Sequence, residues 1–191
     1  MKRWLLFLMF FTAYSTFAQT KREREYRIKK EEFPKTSFET LTPYLEGVKR
    51  LRFYKEEDGQ KQSFEAKFKK GKLKYSVEFD ENGLLEDVEF VIRRTDFPDE
   101  TLYAIEHYLN TQFKKHRIKK MQQQYLNVNE NTSLTLRNGF QNLLIPELRY
   151  ELVITGKTEK SWKSYEMVFD YDGNHVSTRT IVPAKYDHVL Y

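Results

Sequence analysis

The side chains that most often carry chemistry are present in this chain but are not spaced to perform it. Four histidines, His107, His116, His175 and His188, fall in the C-terminal half. None lies four residues from another or beside the Glu of a metalloprotease motif, so the spacing gives no zinc site. Asp170-Tyr171-Asp172-Gly173-Asn174 begins like a calcium loop, but Ile181 stands where the bidentate Glu is required, which favours a hairpin turn. Glu31-Glu32 and Glu56-Glu57 are neighbouring carboxylates in charged, turn-like settings and read as solvated acids. With no cysteine there is no thiol nucleophile, lipidated cysteine or disulfide. No Gly-x-Ser-x-Gly elbow occurs, and seven glycines leave no phosphate-cradling loop. Asn131-Thr132-Ser133 matches the glycosylation pattern and is set aside as chance. No catalytic residue, metal or cofactor is assigned, and the reading is non-enzymatic.

Recognition chemistry has more to work with. Alternation of apolar and polar residues from Val48 to Ile92, and again from Ile118 to Val182, turns one side chain in two toward solvent. The candidate partner-binding surface on that side is Arg52, Tyr54, Lys67, Lys74 and Glu78, followed by Gln122, Gln124, Arg149, Glu166 and Arg179. Tyr, Trp and Arg are the usual anchors of interfaces, and Trp162 is a further aromatic at a strand end. Nucleic acid is not an expected partner. The 33 Lys and Arg are interleaved with 28 acids, as in Lys21-Arg22-Glu23-Arg24-Glu25, and do not form a phosphate-tracking stripe.

These residues need strands to hold them in line, and one stretch organises the strands. Tyr75-Ser76-Val77-Glu78-Phe79-Asp80-Glu81-Asn82-Gly83 returns ninety residues later as Tyr165-Glu166-Met167-Val168-Phe169-Asp170-Tyr171-Asp172-Gly173. Each copy alternates Tyr, an apolar residue and Phe, then turns at Asp-x-x-Gly. Gly supplies the positive φ such turns need, and Asp tolerates it.

Around the two copies the chain divides into similar halves. Lys2 and Arg3, an apolar run from Trp4 to Phe11 and the small residues Thr16 and Ala18 read as a signal peptide, residues 1–18, cleaved after Ala18. Its loss lowers the formal charge by two, from +5 to +3. No later stretch is apolar enough to span a membrane. Residues 19–32 read as a charged arm. Phe33-Pro34 opens a short helix bearing Phe38, Leu41 and Leu45, which Pro43 should kink or split. Strands follow through Ile92. Phe97-Pro98 restarts the pattern with a cleaner helix bearing Leu102, Ile105, Leu109 and Phe113. Strands follow again, interrupted at 127–146 by an Asn-rich insertion, and residues 184–191 form a tail. The expected fold class is α+β: two tandem units, 33–95 and 96–183, each one helix on a four-stranded antiparallel sheet.

Aromatic-Pro before a helix, then Tyr-x-x-x-Phe-Asp-x-x-Gly at Tyr75, Phe79, Asp80 and Gly83 and at Tyr165, Phe169, Asp170 and Gly173, resembles the PepSY-like domains of secreted bacterial proteins. The doubled unit is similar to the beta-lactamase inhibitor protein fold. The resemblance covers residues 33–182, and its shared positions are structural. It implies a periplasmic or extracellular binding module that inhibits or regulates a peptidase or another envelope enzyme. Two other readings stay open on the residues alone: an envelope-polymer hydrolase whose site is assembled from distant residues, and a structural subunit of a surface assembly.

Overall fold

The computed structural model describes residues 19–128, 130–159 and 161–182. The leader, the tail and His188 lie outside them. Ten strands form one sheet: β1 (Gln19–Lys21), β2 (Glu23–Ile28), β3 (Lys49–Asp58), β4 (Lys61–Lys70), β5 (Leu73–Asp80), β6 (Leu85–Val91), β7 (His116–Leu126), β8 (Arg149–Lys157), β9 (Trp162–Phe169) and β10 (His175–Ile181). Their order is β1-β10-β9-β8-β7-β6-β5-β4-β3-β2. Neighbours are antiparallel except β1 and β10, which run parallel. Three helices, α1 (Lys35–Leu41), α2 (Asp99–Gln112) and α3 (Thr132–Gln141), are added.

The two expected helix-plus-four-strand units are not what forms. β6 pairs with β7 from Asp87 opposite Leu126 to Val91 opposite Gln122, so the sheet runs unbroken through the expected boundary. A single apolar cluster extends along it, from Phe53 and Phe79 through Phe90 to Tyr150 and Phe169. Residues 19–32 are not a loose arm either. β1 lies on one edge of the sheet and β2 on the other, with Arg22 alone between them. A ten-stranded, mostly antiparallel sheet twists and tends to curl. Here the curl brings the edges close enough for one ten-residue segment to join them, and the sheet becomes a nearly closed, barrel-like ring. The Arg22 amide donates to Asp58 Oδ1 at 3.0 Å, and Arg179 on β10 reaches Asp58 Oδ2 on β3 at 3.2 Å. β1 and β2 remain the two end strands of the sheet, brought side by side by the single residue between them.

Local sequence explains the helices. α1 stops at Leu41 and tightens into a 3-10 turn, Thr42–Tyr44, because Pro43 has no amide proton to continue the ladder. The two matched turns dock on the first two helices. Asp80 Oδ1 accepts from the amides of Asn82 and Leu84, and Asp170 Oδ1 from those of Asp172 and Asn174. Ser37 Oγ then donates to Gly83 O, and Thr101 Oγ1 donates to Tyr171 O. Gly83 and Gly173 have φ +81° and +85°, and a Cβ on Gly173 would lie 2.6 Å from the Thr101 carbonyl oxygen. Both positions therefore require glycine for conformation and for closeness. Within the expected insertion, Asn131 caps α3 by accepting from the Leu134 amide, and Asn138-Gly139 lies inside the helix.

Candidate functional site

The helices cover the apolar side of the sheet, so the polar side forms the inside of the ring. All ten sequence-nominated residues are on strands, and the polar face divides them by charge. Lys67, Glu78, Gln124 and Arg179 line a cavity of about 700 Å³. Arg52, Tyr54, Lys67, Lys74 and Gln122 line a shallower depression of about 330 Å³ beside it, so Lys67 belongs to both. Glu166 is 3% exposed at the seam, where it accepts from Lys21 at 2.6 Å and from Arg179 at 2.5 and 2.8 Å. Arg149 pairs in register with Gln124 and lines neither hollow.

The larger cavity is acidic. Ten carboxylates line it against Lys21, Lys61, Lys67, Lys120 and Arg179. Glu25, Glu56 and Glu65 bring oxygens within 4.8 Å of one another, a grouping that could hold a metal ion. A cation of the chain already sits there. Lys67 Nζ is 2.7 Å from Glu65, 3.8 Å from Glu56 and bonded to Glu25. Its pKa is raised: these carboxylates outweigh the burial that would lower it. Burial, then proton-sharing with Glu65 and Glu23, pushes the Glu56 carboxyl up to about 12. Burial also acts to raise Glu65, but the proton donated by Glu56 and the Lys67 ammonium win, and its pKa is lowered. Glu56, read from sequence as a solvated acid, is only 7% exposed.

Deeper in the cavity the acids lack cations. Among the described residues, Asp87, Glu89 and Glu151 form no ion pair; Gln124 Nε2 donates to Asp87 Oδ2 and Glu89 Oε1, and Gln122 Nε2 donates to Glu89 Oε2. Burial, reinforced by neighbouring carboxylates, raises Asp87 and Glu89 well above the usual range and Glu151 to about 7.

The depression is the reverse. Arg50, Arg52, Lys67, Lys69, Lys74 and Lys120 line it with one acid, Glu65, around Tyr54 and Tyr75. Among the described residues Arg50, Arg52, Lys69 and Lys74 have no carboxylate within ion-pair distance, and all four are exposed. Lys67 Nζ lies 4.9 Å from the centre of the Tyr54 ring. Arg50 sits at the bulge that shifts the β3–β4 register between Lys49 and Arg52, with φ +60°. That conformation disfavours a non-glycine residue, and bulges re-aim side chains.

Sequence reasoning misses Lys21, Glu23 and Glu25, whose interleaved charges read as a solvated arm, and Asp87. Asp87 was findable, because the alternation that buries Val88 and Phe90 places Asp87 and Glu89 together on the other side. Lys21 carried no such signal, since its place depends on closure of the ring.

No family model and no curated protein matches the sequence. Solved structures define the class: the fold is that of BLIP-like and DUF2874 proteins. A DUF2874 family protein from Bacteroides ovatus superposes with TM-score 0.52 at 11% identity, covering 78% of this chain and 87% of that one. A BLIP-like protein from Bacteroides fragilis gives 0.50 at 12%, covering 82% and 92%. A candidate periplasmic protein from Bacteroides eggerthii gives 0.52 at 12%, covering 81% and 93%. At such identities the likeness is one of fold, and it carries the beta-lactamase-inhibitor half of the resemblance. No helix among the described residues is long and apolar enough to cross a membrane.

Proposed function

We propose that the chain is an exported, non-enzymatic binding module of the bacterial envelope that grips an acidic segment of another envelope or secreted protein. The observation that carries this reading is the basic depression, where four exposed cations with no carboxylate partner among the described residues lie around Tyr54 on one sheet face. Arg and Tyr anchor interfaces, and complementary charge steers association and weakens with salt. The apparent leader and the periplasmic neighbour support export. Regulation or inhibition of an envelope enzyme is the finer form of the same proposal. The test is recovery of a partner from envelope extract over a salt series. Arg52→Ala combined with Tyr54→Ala should abolish recovery; retention unchanged by the pair would contradict the proposal.

One observation favours a second reading, a hydrolase. Glu56 and Glu65 are adjacent carboxyls with pKa values pushed apart, a common acid–base arrangement. Their carboxyls share a proton directly, leaving no room between them for a glycosidic bond, which needs roughly 5 Å or more. Hydrolysis of purified peptidoglycan that disappears in Glu56→Gln would establish this reading over the first.

A further inference from the structure

We propose that the deep end of the acidic cavity is a binding site for an organic polyammonium, built from Asp87, Glu89 and Glu151. This goes beyond the basic depression and stands independently of it. Asp87 is 6% exposed and lines the cavity, and its Oδ1 has no hydrogen-bond partner among the described residues, while its other oxygen accepts from Gln124. A buried carboxylate oxygen with nothing to accept from is costly and calls for a donor. Glu89 and Glu151 line the same cavity, again without an ion pair among the described residues. Four of the five cations lining the cavity are committed elsewhere: Lys61 to Glu78 and Glu86, Lys67 to Glu25 and Glu65, and Lys21 and Arg179 to Glu166. Lys120 lines the cavity without an ion pair among the described residues and is the resident competitor.

The geometry selects the ligand class. Convergent oxygens suited to one metal ion occur at Glu25, Glu56 and Glu65, where the Lys67 ammonium already stands, and not at Asp87, Glu89 and Glu151. Separated carboxylates in a cavity of about 700 Å³ fit a flexible chain with amino groups at intervals. Each N–H···O⁻ contact is then charge-assisted.

Binding must also displace protons. The groups facing the three acids are Glu78, Glu151 and Glu86 beside Asp87; Glu151, Asp87, Lys120 and Glu78 beside Glu89; and Glu166, Lys21, Lys120 and Arg179 beside Glu151. Acids outweigh bases around Asp87 and Glu89, so burial and these neighbours favour their protonated forms, and a bound cation would favour release of the protons.

The test is isothermal titration of the purified protein with spermidine near pH 7, repeated in two buffers of different ionisation enthalpy. The proposal expects saturable one-to-one heat with net proton release, about 10-fold or more weaker in Asp87→Asn. Should Asp87→Asn fail to fold, Glu151→Gln reads the same loss. Tetralysine in place of spermidine separates the sources: tighter binding of the peptide assigns the ammonium groups to a protein partner, and tighter binding of spermidine assigns them to a free polyamine. Absence of saturable heat with both probes, heat undiminished in both variants, or displacement of spermidine by equimolar magnesium would overturn the proposal.

Discussion

The acidic cavity and the basic depression share one sheet face and three residues, Glu65, Lys67 and Lys120, yet they hold their other charges in opposite ways. In the cavity the carboxylates are largely buried, and the chain either supplies a cation, as Lys67 does for Glu25 and Glu65, or keeps a proton, as on Glu56. In the depression Arg50, Arg52, Lys69 and Lys74 are exposed, with no carboxylate within ion-pair distance among the described residues. Burial makes every unpaired charge expensive, whereas solvent and salt screen an exposed one. Changes in the cavity should therefore act on stability and on pH dependence. Changes in the depression should act on binding while leaving the fold alone.

The largest effect should come from the seam. Glu166→Ala removes the buried acceptor shared by Lys21 and Arg179, leaving Lys21 with Glu23 alone and Arg179 with Asp58 alone beside the closing strands. A loss of about 3 kcal/mol is expected in urea denaturation. Arg52→Ala, in the depression, should stay within about 0.5 kcal/mol of wild type. Equal losses would erase the distinction between the two ends.

The next effect is the pH dependence. Glu151, raised by burial and then by Glu166 to about 7, holds its proton more tightly folded than unfolded. Below the unfolded value both states are protonated. As pH climbs from there to about 7 the unfolded chain releases the proton first, so stability falls across that window by up to about 3 kcal/mol and then levels off. Asp87, Glu89, Glu56 and Glu78, also raised, act in the same direction. Glu65 and Glu23, lowered, act the other way, and their contribution is lost as pH falls through their depressed values. Denaturation at a series of pH values should show a shallower slope between about pH 5 and 7 for Glu151→Gln. Arg52→Ala should run parallel to wild type.

Much of the face was readable in advance because the strand period is two and the apolar residues keep it. Phe64, Ala66 and Phe68 settle the side taken by Glu65 and Lys67. Tyr150 and Leu152 do the same for Glu151. Closure was not readable. The period says which side of a strand a residue faces, but nothing about whether that side ends outside or inside a ring, and so the polar face was expected as an open platform. The segment 19–28 carries alternating charges that look solvated until both sheet edges come to meet it. Asn131 and Asn138, likewise, read as loop residues until α3 is seen packed on β6 and β7.

Two smaller effects sharpen the picture at the basic end. Lys74→Glu should weaken partner recovery about tenfold and reduce its salt dependence, with little change in stability, because Lys74 is exposed and outside any ion pair among the described residues. Arg50→Gly should stabilise the fold by up to about 1 kcal/mol, since glycine accepts φ +60° at the bulge without strain. It should also weaken recovery, because a cation of the depression is lost. A destabilised Arg50→Gly would mean that the bulge is set by the arginine side chain and not tolerated despite it.

The account turns on buried acids left without cations at one end of the face. The most direct measurement is a residue-resolved carboxyl carbon-13 titration of the unliganded protein. The account predicts that Glu151 titrates with a midpoint near 7, that Asp87 and Glu89 stay protonated well above the usual carboxylate range, and that Glu65 ionises before Glu56. Midpoints in the ordinary carboxylate range at Asp87, Glu89 and Glu151 would show an open, solvated face and contradict it.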